Sequence, residues 1–353
     1  MITGIICEFN PFHKGHKHLI DTIKKDNNSI ICAMSGNLVQ RGEFAVYDKF
    51  KRARTAVENG ADLVIELPCS CSTLSAEGFA RAGVNLLQDT GIVEEIAFGS
   101  ECDDIHKLEE IARLIIEKDS EIKAELKSGV SYPVARKNAI NSDILDTPNN
   151  ILAVEYLKEA KVPCRAIKRI GKGHDTDDEE YSASAIRKLL SLEEICSMKN
   201  CETAILSKLR TMKSDDFLKI EDVSEGLENR IVDAINISTT LDELYDNIKT
   251  KRYTHSRIRR IILKSYLGIT KDYPVISPYI RILAFNDNGK ELLSKIKKSS
   301  KLPIISRYND INTLDDSARR LFELECKCTD LYNLGYKKPL PCGTEQRSKV
   351  QIL

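Results

Sequence analysis

The sequence predicts an α/β fold in which a doubly wound, mostly parallel sheet is followed by a mostly helical region. Through about residue 190, short apolar runs alternate with longer segments of helical spacing. Turn-forming residues separate the two kinds of segment. Beyond residue 190 the strand-like runs give way to helical patterns. Such alternation is typical of a sheet covered by helices on both faces.

Five apolar runs are the predicted strands, because each is short and bounded by turn residues. In chain order they are ITGIICEF (2–9), SIICAM (29–34), ADLVIEL (61–67), EEIAFGS (94–100) and PCRAIKRI (163–170). Ligands of parallel sheets bind beyond the carboxyl ends of the strands, where the strand order reverses. Residues that directly follow these runs are therefore the first candidates for a functional site.

The segments between the strands have the spacing of amphipathic helices. In YDKFKRARTAVENG, Asp48 is placed to cap the helix and Gly60 to end it. Further helices are predicted over 75–91, 191–210, 224–235 and 255–268. We therefore expect two domains, residues 1–190 with the sheet and residues 191–353 with a mostly helical, basic region.

Composition favours an ordinary soluble protein. The chain has 353 residues, a hydrophobic content of 42% and no formal net charge. No apolar run approaches the roughly 20 residues of a membrane helix, and MITGIICE does not resemble a signal peptide. The eleven cysteines are expected to be reduced, and Cys326, Cys328 and Cys342 lack a fourth zinc ligand. We expect a cytoplasmic protein with no membrane contact and no structural metal site.

Residues 249–301 carry an excess of positive charge, with fourteen Lys and Arg residues against three Asp and Glu residues. Within this segment, KRYTHSRIRRIILKSYLG (251–268) places basic side chains among apolar ones, and Tyr253 and Tyr266 offer stacking surfaces. By itself such a run is typical of a solvated helix face. The other interpretation is a surface for a polyanion such as RNA.

Three of the six histidines, His13, His16 and His18, fall between the first predicted strand and the first helix, in ICEFNPFHKGHKHL (6–19). His13 and His16 are three residues apart, so they project to the same side of the helix. Gly15 lets a ligand approach the backbone, and the helix start supplies N–H groups with a positive dipole end. The stretch predicts a phosphate site.

Other kinds of site fit this stretch less well. The zinc pattern H-E-x-x-H has a different spacing and lies inside a helix. Neither G-x-x-x-x-G-K-[ST] nor G-x-G-x-x-G follows the first strand. Histidines that only cap the helix are the remaining structural interpretation. Phosphate contacts at this place would have to come from the histidines and the backbone.

His13-Lys14-Gly15-His16 resembles the H-x-G-H signature of the nucleotidyltransferase superfamily, which has a Rossmann-like sheet. The resemblance implies that His13 and His16 are catalytic and stabilise the transition state at the α-phosphate. YSASAIRK (181–188) is similar to a second signature of that superfamily, a serine-rich turn before a basic helix start. It implies phosphate contacts by Ser182, Ser184 and Arg187.

Longer stretches resemble one family, the bacterial tRNA(Met) cytidine acetate ligases. The most diagnostic is SGNLVQRGE (35–43), within the similar block 34–68. Others are EFNPFHKGHKHLI (8–20), FGSE (98–101), PNNIL (148–152), IKRIGKGHD (167–175) and, from the C-terminal domain, RYTHSRIRRIIL (252–263).

This resemblance implies an enzyme that activates acetate with ATP and Mg²⁺ as acetyl-adenylate. The acetyl group then passes to N4 of the wobble cytidine of elongator tRNA(Met), forming N4-acetylcytidine. Residues 1–190 would bind ATP and residues 191–353 the tRNA, through Arg252, Arg257, Arg259, Arg260 and Lys264. The implied ATP site comprises Ile6, Cys7, Glu8, Phe9, Asn10, Pro11, Phe12, His13, Lys14, Gly15, His16, Lys17, His18, Leu19, Gly99, Asn149, Arg169, Ile170, Ser182, Ser184 and Arg187.

Two other functions stay open at this point. An adenylyltransferase acting on a small cofactor precursor would use the same H-x-G-H site, but would leave the basic half without a role. A noncatalytic RNA-binding protein could retain the nucleotide fold as a scaffold. The roles of Gln40, Arg41 and Glu43 are also open, because they could contact acetate, ATP or the target base, or order their own loop.

Overall fold

The computed structural model describes residues 1–170, 183–191, 193–224 and 226–353. Its strands, in chain order, are β1 (Ile2–Cys7), β2 (Ser29–Ser35), β3 (Leu38–Val39), β4 (Glu43–Phe44), β5 (Leu63–Leu67), β6 (Glu95–Ser100), β7 (Cys164–Lys168), β8 (Ile280–Phe285), β9 (Ile304–Ile305) and β10 (Gln351–Ile352).

The helices within the same residues surround the sheet and form the C-terminal region. They are α1 (Lys14–Lys24), α2 (Lys49–Glu58), α3 (Cys69–Ser72), α4 (Ala76–Asp89), α5 (Ile105–Glu117), α6 (Asp119–Leu126), α7 (Tyr132–Ile140), α8 (Pro148–Glu159), α9 (Ala183–Leu189), α10 (Glu202–Arg210), α11 (Ser214–Phe217), α12 (Leu227–Ile237), α13 (Leu241–Ile248), α14 (His255–Leu267), α15 (Asp287–Ser299), α16 (Asp316–Tyr332) and α17 (Thr344–Arg347). None of these described helices is long and apolar enough to cross a lipid bilayer.

The central sheet has the spatial order β10, β8, β5, β2, β1, β6 and β7, with β9 also paired to β8. The strands β5, β2, β1, β6 and β7 pair in parallel, which confirms the five predicted strands and their direction. The chain passes from β1 outward to β5, and then returns to the other side of β1 as β6. The strand order therefore reverses between β1 and β6, where a ligand crevice is expected.

Both faces of the sheet are covered, as in a doubly wound fold. On one face, Ile5 and Met34 pack with Ile20 of α1 and with residues of α2. On the opposite face, Ile6 and Phe79 belong to the core that includes α4, α5 and α8. Because successive strand residues point to opposite faces, Ile5 and Ile6 enter different cores.

The region after residue 190 is less purely helical than the sequence predicts. Strand β8 joins the sheet antiparallel to β5, and β9 and β10 pair with β8. The run YIRILAF (279–285) is short and apolar except for Arg281, and periodicity does not distinguish such a strand from a buried helix. Conversely, Phe44 and Cys69 pack in the core of the helical region. A functional division at residue 190 stays a proposal.

Buried charged side chains join the sheet to the C-terminal helices. Lys49 at the start of α2 is fully buried, and its Nζ lies 2.6 Å from Glu66 of β5 and 2.9 Å from Glu345 of α17. Glu325 of α16 lies 4.0 Å from the same Nζ, and Arg281 of β8 pairs with Glu345 at 3.1 Å. We call these five residues the Lys49 network. Its members come from both proposed domains.

Candidate active site

The turn between β1 and α1 lies at the reversal of strand order. Phe9 in this turn is buried and has a left-handed backbone with φ of 46°, which is uncommon for a bulky residue. Arg52 of α2 anchors the turn by hydrogen bonds. Its Nη1 donates to the carbonyl oxygens of Glu8 (2.6 Å) and Ser35 (3.1 Å). This buried guanidinium fixes the ends of β1 and β2 relative to each other, and the sequence analysis did not identify it.

His13 and His16 form a stacked pair at the start of α1, with ring centroids 3.7 Å apart. His13 Nδ1 accepts the N–H of Gly15 at 3.0 Å, and His16 Nδ1 accepts the N–H of His13 at 3.3 Å. Because each Nδ1 is an acceptor, the hydrogen bonds assign the proton of each neutral ring to Nε2. The pair therefore has two Nε2–H donors, which suit phosphate oxygens.

The protonation of His16 follows from its surroundings. Burial lowers the pKa of His16 well below the ordinary value, and the nearby His13 and Arg169 lower it further. The ring contacts Phe9 and Phe12, with centroids 4.9 and 5.6 Å away. His16 is thus neutral at pH 7 and acts as a hydrogen-bond donor without carrying a charge.

Residues that follow β6 form the opposite side of the crevice. A Cβ at Gly99 would lie 3.3 Å from Arg169 Cγ, so glycine leaves room for that side chain. The Glu101 carboxylate accepts hydrogen bonds from Asn149 Nδ2 (2.5 Å) and the Asn150 N–H (3.2 Å), and lies 3.8 Å from Arg169 Nε. The structure therefore brings three predicted ATP contacts, Gly99, Asn149 and Arg169, to one place.

Asn150 is a positioning residue that the sequence analysis did not assign. Its Oδ1 accepts hydrogen bonds from Ser100 Oγ (2.7 Å) and from the N–H groups of Glu101 (3.0 Å) and Cys102 (3.1 Å). One buried amide thus orders the loop after β6 against the start of α8. The one sign of this role in the sequence is that Asn150 lies beside Asn149 in the PNNIL stretch.

The second predicted phosphate signature also reaches the turn after β1. Arg187 of α9 donates from Nη1 to the carbonyl oxygen of Asn10 (2.6 Å) and from Nη2 to Ser184 Oγ (3.1 Å). Ser182 lies outside the described residues. Ile170 is exposed at the end of the segment that follows β7.

The side chains of the predicted ATP-binding stretch 6–19 do not all point toward the crevice. Ile6 and Cys7 belong to the cores on the two faces of the sheet, so only their backbone is available at the strand end. Lys17 pairs with Asp21 along α1, and Leu19 packs against the core under that helix. The side chains near the crevice are mainly those of residues 8–16.

The block 35–43 forms a small antiparallel hairpin of β3 and β4. Gln40, at its tip, donates its N–H to the Glu8 carboxylate at 2.6 Å. Gly42 has φ of +80°, and a Cβ there would lie 2.4 Å from the backbone nitrogen of Arg260 on α14. Glu43 pairs with Arg259 on the same helix. The hairpin therefore connects the turn after β1 to the basic helix.

Several residues predicted to contact tRNA are engaged within the protein instead. Arg260 and Lys264 are buried, because α14 packs into the helical core. Arg257 Nε donates to the Asp222 carbonyl oxygen at 3.0 Å, and Arg260 Nη2 lies 3.2 Å from the Asp222 carboxylate. These contacts could not be predicted from the run of basic residues, because their shared partner, Asp222, is distant in sequence. Buried Arg260 and Lys264 do not fit the predicted role as phosphate contacts.

The comparisons with known proteins agree with this geometry. The model of the HIGH Nucleotidyl Transferase family matches residues 1–201 and 191–347. A tRNA(Met) cytidine acetate ligase of Acetivibrio thermocellus is 38% identical to this chain over 96% of each sequence. A protein of the same name from Thermoanaerobacter sp. is 38% identical over 98% of each sequence. The chain belongs to the tRNA(Met) cytidine acetate ligase family.

Solved structures extend the similarity to three dimensions. Thermotoga maritima TmcAL in an apo form superposes with a TM-score of 0.91 at 31% identity, covering 100% of this chain and 99% of that chain. A second form, bound with alpha-thio ATP, has a TM-score of 0.88 with the same identity and coverage. Membership of the tRNA(Met) cytidine acetate ligase family and the predicted α/β fold are thus confirmed.

Proposed function

We propose that this chain is an ATP-dependent ligase that acetylates N4 of the wobble cytidine of elongator tRNA(Met), with acetate as the acyl source. Two relatives that match nearly the whole chain are named for the joining of acetate to a cytidine of tRNA(Met). One structural observation supports ATP chemistry above all: His13, His16 and Arg187 converge on the turn after β1, where the strand order reverses. A structural neighbour bound with alpha-thio ATP agrees with that choice of nucleotide.

In the proposed first step, an acetate oxygen attacks the α-phosphorus of ATP, and the bond to pyrophosphate breaks. Negative charge increases on the α-phosphate oxygens and on the leaving pyrophosphate. The Nε2–H donors of His13 and His16 would stabilise the α-phosphate, while Arg187 and the start of α1 would hold the outer phosphates. The product is acetyl-adenylate. Its acetyl carbon carries AMP, which leaves more readily than the oxygen of free acetate.

Mg²⁺ is part of the proposal only as a companion of the nucleotide. The described residues contain no cluster of three His, Cys, Asp or Glu side chains suited to a metal ion. Mg²⁺ is commonly held by substrate phosphates with few protein ligands. It would neutralise triphosphate charge here, and we assign no protein ligand and no step to it.

In the proposed second step, N4 of the cytidine attacks the acetyl carbonyl carbon, and AMP leaves with the electron pair of the broken C–O bond. The wobble base must reach the crevice, which an unpaired anticodon base can do at modest energetic cost. Transfer also requires N4 to lose a proton.

The tRNA surface would lie at the start of α14 rather than along its buried middle. Lys249 and Lys251 are exposed there, and Arg252 is half-buried. Phosphate contacts by such side chains give affinity that falls with salt. Arg257 and Arg259, both half-buried, would act mainly by holding this helix to its neighbours. A cytoplasmic location follows from a tRNA substrate and belongs to the same proposal.

Transfer of labelled acetate tests the function directly. Purified protein, ATP, Mg²⁺ and unmodified elongator tRNA(Met) should give ATP-dependent label in N4-acetylcytidine after nucleoside analysis. A tRNA(Met) with another base at the wobble position is the matched control and should remain unlabelled. Absence of label in the cytidine-containing tRNA, from protein that binds ATP, would contradict the proposed function.

A further inference from the structure

Acetyl transfer to cytidine releases one proton from N4, and a protein group must accept it at the crevice. We propose that the Glu8 carboxylate accepts this proton through Oε2 and is the general base of the transfer step. This inference rests on the proposed function, because it concerns the second half of that reaction. It gives Glu8 a role different from the ATP contact that the family resemblance implies.

The position of Glu8 is fixed at the crevice. It directly follows β1, next to the turn with the histidine pair. Its carbonyl oxygen accepts a hydrogen bond from Arg52 Nη1 at 2.6 Å, and its Oε1 accepts the Gln40 N–H at 2.6 Å. Both the backbone and one carboxylate oxygen are therefore held, while the side chain as a whole is only half-buried. A general base needs this kind of fixed, accessible position.

The contacts of its carboxylate distinguish Glu8 from the other acids nearby. Glu101 uses both of its oxygens to bind Asn149 and Asn150. Glu43 pairs with Arg259. Among the described residues, Gln40 provides the one hydrogen bond to the Glu8 carboxylate, through Oε1. Oε2 is thus available to a substrate amine.

The surrounding charges suit a base better than a phosphate contact. A carboxylate repels the oxygens of a triphosphate, so Glu8 would gain nothing by facing them. Burial raises the pKa of Glu8, and the Gln40 N–H and nearby arginines oppose that shift. A carboxylate with a raised pKa is a stronger base. The other ionisable groups that face it are Arg41, Arg52, Arg187, Cys7 and Tyr156.

Glu8 also lies toward the region proposed to hold tRNA. Its Oε1 contacts Gln40 in the turn of the hairpin, and Gly42 of the same turn and Glu43 of β4 lie against α14. The crevice side formed by Glu8 is therefore continuous with the basic helix. His13 and His16 lie on the α1 side of the same turn.

Each bond and proton of the proposed transfer step is accounted for. The N4 lone pair forms the new C–N bond to the acetyl carbon, and the C–O bond to the adenylate breaks. AMP leaves with that electron pair, and one N4 proton moves to Glu8 Oε2. Solvent then removes the proton from Glu8, which restores the carboxylate.

Glu8→Gln separates the two half-reactions. The amide retains an oxygen for the Gln40 N–H but does not accept a proton at pH 7. We expect transfer from acetyl-adenylate to tRNA to fall about 100-fold or more, the usual contribution of general-base catalysis. Acetate-dependent exchange of pyrophosphate into ATP, which reports adenylation, should fall far less. Wild-type transfer should rise with pH as Glu8 ionises and then level off, and Glu8→Gln should lose that rise.

Glu8→Asp and Glu43→Gln complete the design. Glu8→Asp keeps a carboxylate and should restore part of the transfer rate together with its pH dependence. Glu43→Gln, the other acid on the hairpin, loses its ion pair with Arg259 on the basic helix, but should keep the rise of transfer with pH that Glu8→Gln loses. Equal loss of both activities in Glu8→Gln would indicate an ATP or Mg²⁺ contact and overturn the proposal. Unchanged transfer in a folded Glu8→Gln protein would also overturn it, whereas no exchange in the wild type would contradict the proposed function itself.

Discussion

Arg187 Nη1 donates a hydrogen bond of 2.6 Å to the carbonyl oxygen of Asn10, although 177 residues separate them in sequence. The bond places α9 against the turn that follows β1. Arg187 itself has a lowered pKa because of burial, although Glu43 and Glu8 favour its charged form. Arg187 of the second signature thus contacts the turn that leads into the H-x-G-H signature.

Replacing His16 with alanine should remove one of the two Nε2–H donors. We expect acetate-dependent pyrophosphate exchange to fall about 100- to 1,000-fold, the typical effect of losing one transition-state hydrogen bond. Affinity for tRNA should change little, because His16 lies at the turn before α1. His106→Ala on α5 is the control, since that side chain is 88% exposed and pairs only with Glu109 among the described acids. Unchanged exchange in His16→Ala would remove His16 from the mechanism.

His16 should remain neutral well below pH 6.5. Its pKa is lowered in the folded state by burial, so the unfolded chain binds this proton first as pH falls. The free energy of unfolding should therefore decrease below about pH 6.5, by up to about 1.4 kcal/mol per pH unit from this group. NMR titration of labelled histidine would measure the pKa. An ordinary value for the His16 ring would contradict the prediction.

Lys49→Met should destabilise the protein strongly. The substitution removes the cation that Glu345 and Glu66 share inside the protein, and breaking a buried ion pair in this way typically costs about 3–5 kcal/mol. Urea unfolding measures the change. Lys51→Met, at an exposed position on the same helix, is the matched control and should cost less than about 1 kcal/mol. Equal effects of the two variants would show that the Lys49 network contributes little.

Glu66 should make the stability depend on pH. Burial raises the pKa of Glu66 to about 8, with Glu325 and Glu345 adding to the shift and Lys49 opposing it. The folded protein therefore binds a proton that the unfolded chain has released, and stability should fall as pH rises from about 5 to about 8. Glu66→Gln should reduce this fall, as urea unfolding at pH 6 and 8 would measure. An identical pH dependence in both proteins would exclude Glu66 as the source.

Lys251→Glu should weaken tRNA binding, because the exposed side chain lies just before α14 in the basic segment. Removal of one phosphate contact should lower the slope of log affinity against log salt by about 1. Lys107→Glu on α5 makes the same charge change outside the basic segment and should have a smaller effect. Filter binding at several salt concentrations would test both. Equal effects would place the tRNA elsewhere.

The fold was largely predictable because its signals are local. The five parallel strands and the capped helix α2 follow from short apolar runs, turn residues and helical spacing, and Asp48 caps α2 with a 3.0 Å bond to the Lys51 N–H. The histidine pair was also predictable, because H-x-G-H directly follows a strand. Strand β8 was missed, since a short apolar run has no period that separates strand from buried helix.

The sequence by itself determined the family, the parallel sheet and the place of the nucleotide crevice, because those depend on contiguous motifs and periodicity. Only the tertiary structure decided how charged residues are used. Arg52 and Lys49 resemble surface charges of an amphipathic helix, yet both are buried against partners from other elements. Arg260 and Lys264 resemble RNA contacts, yet they face the interior. A sequence does not show whether a charged side chain faces solvent or the interior, because the packing of distant elements decides that.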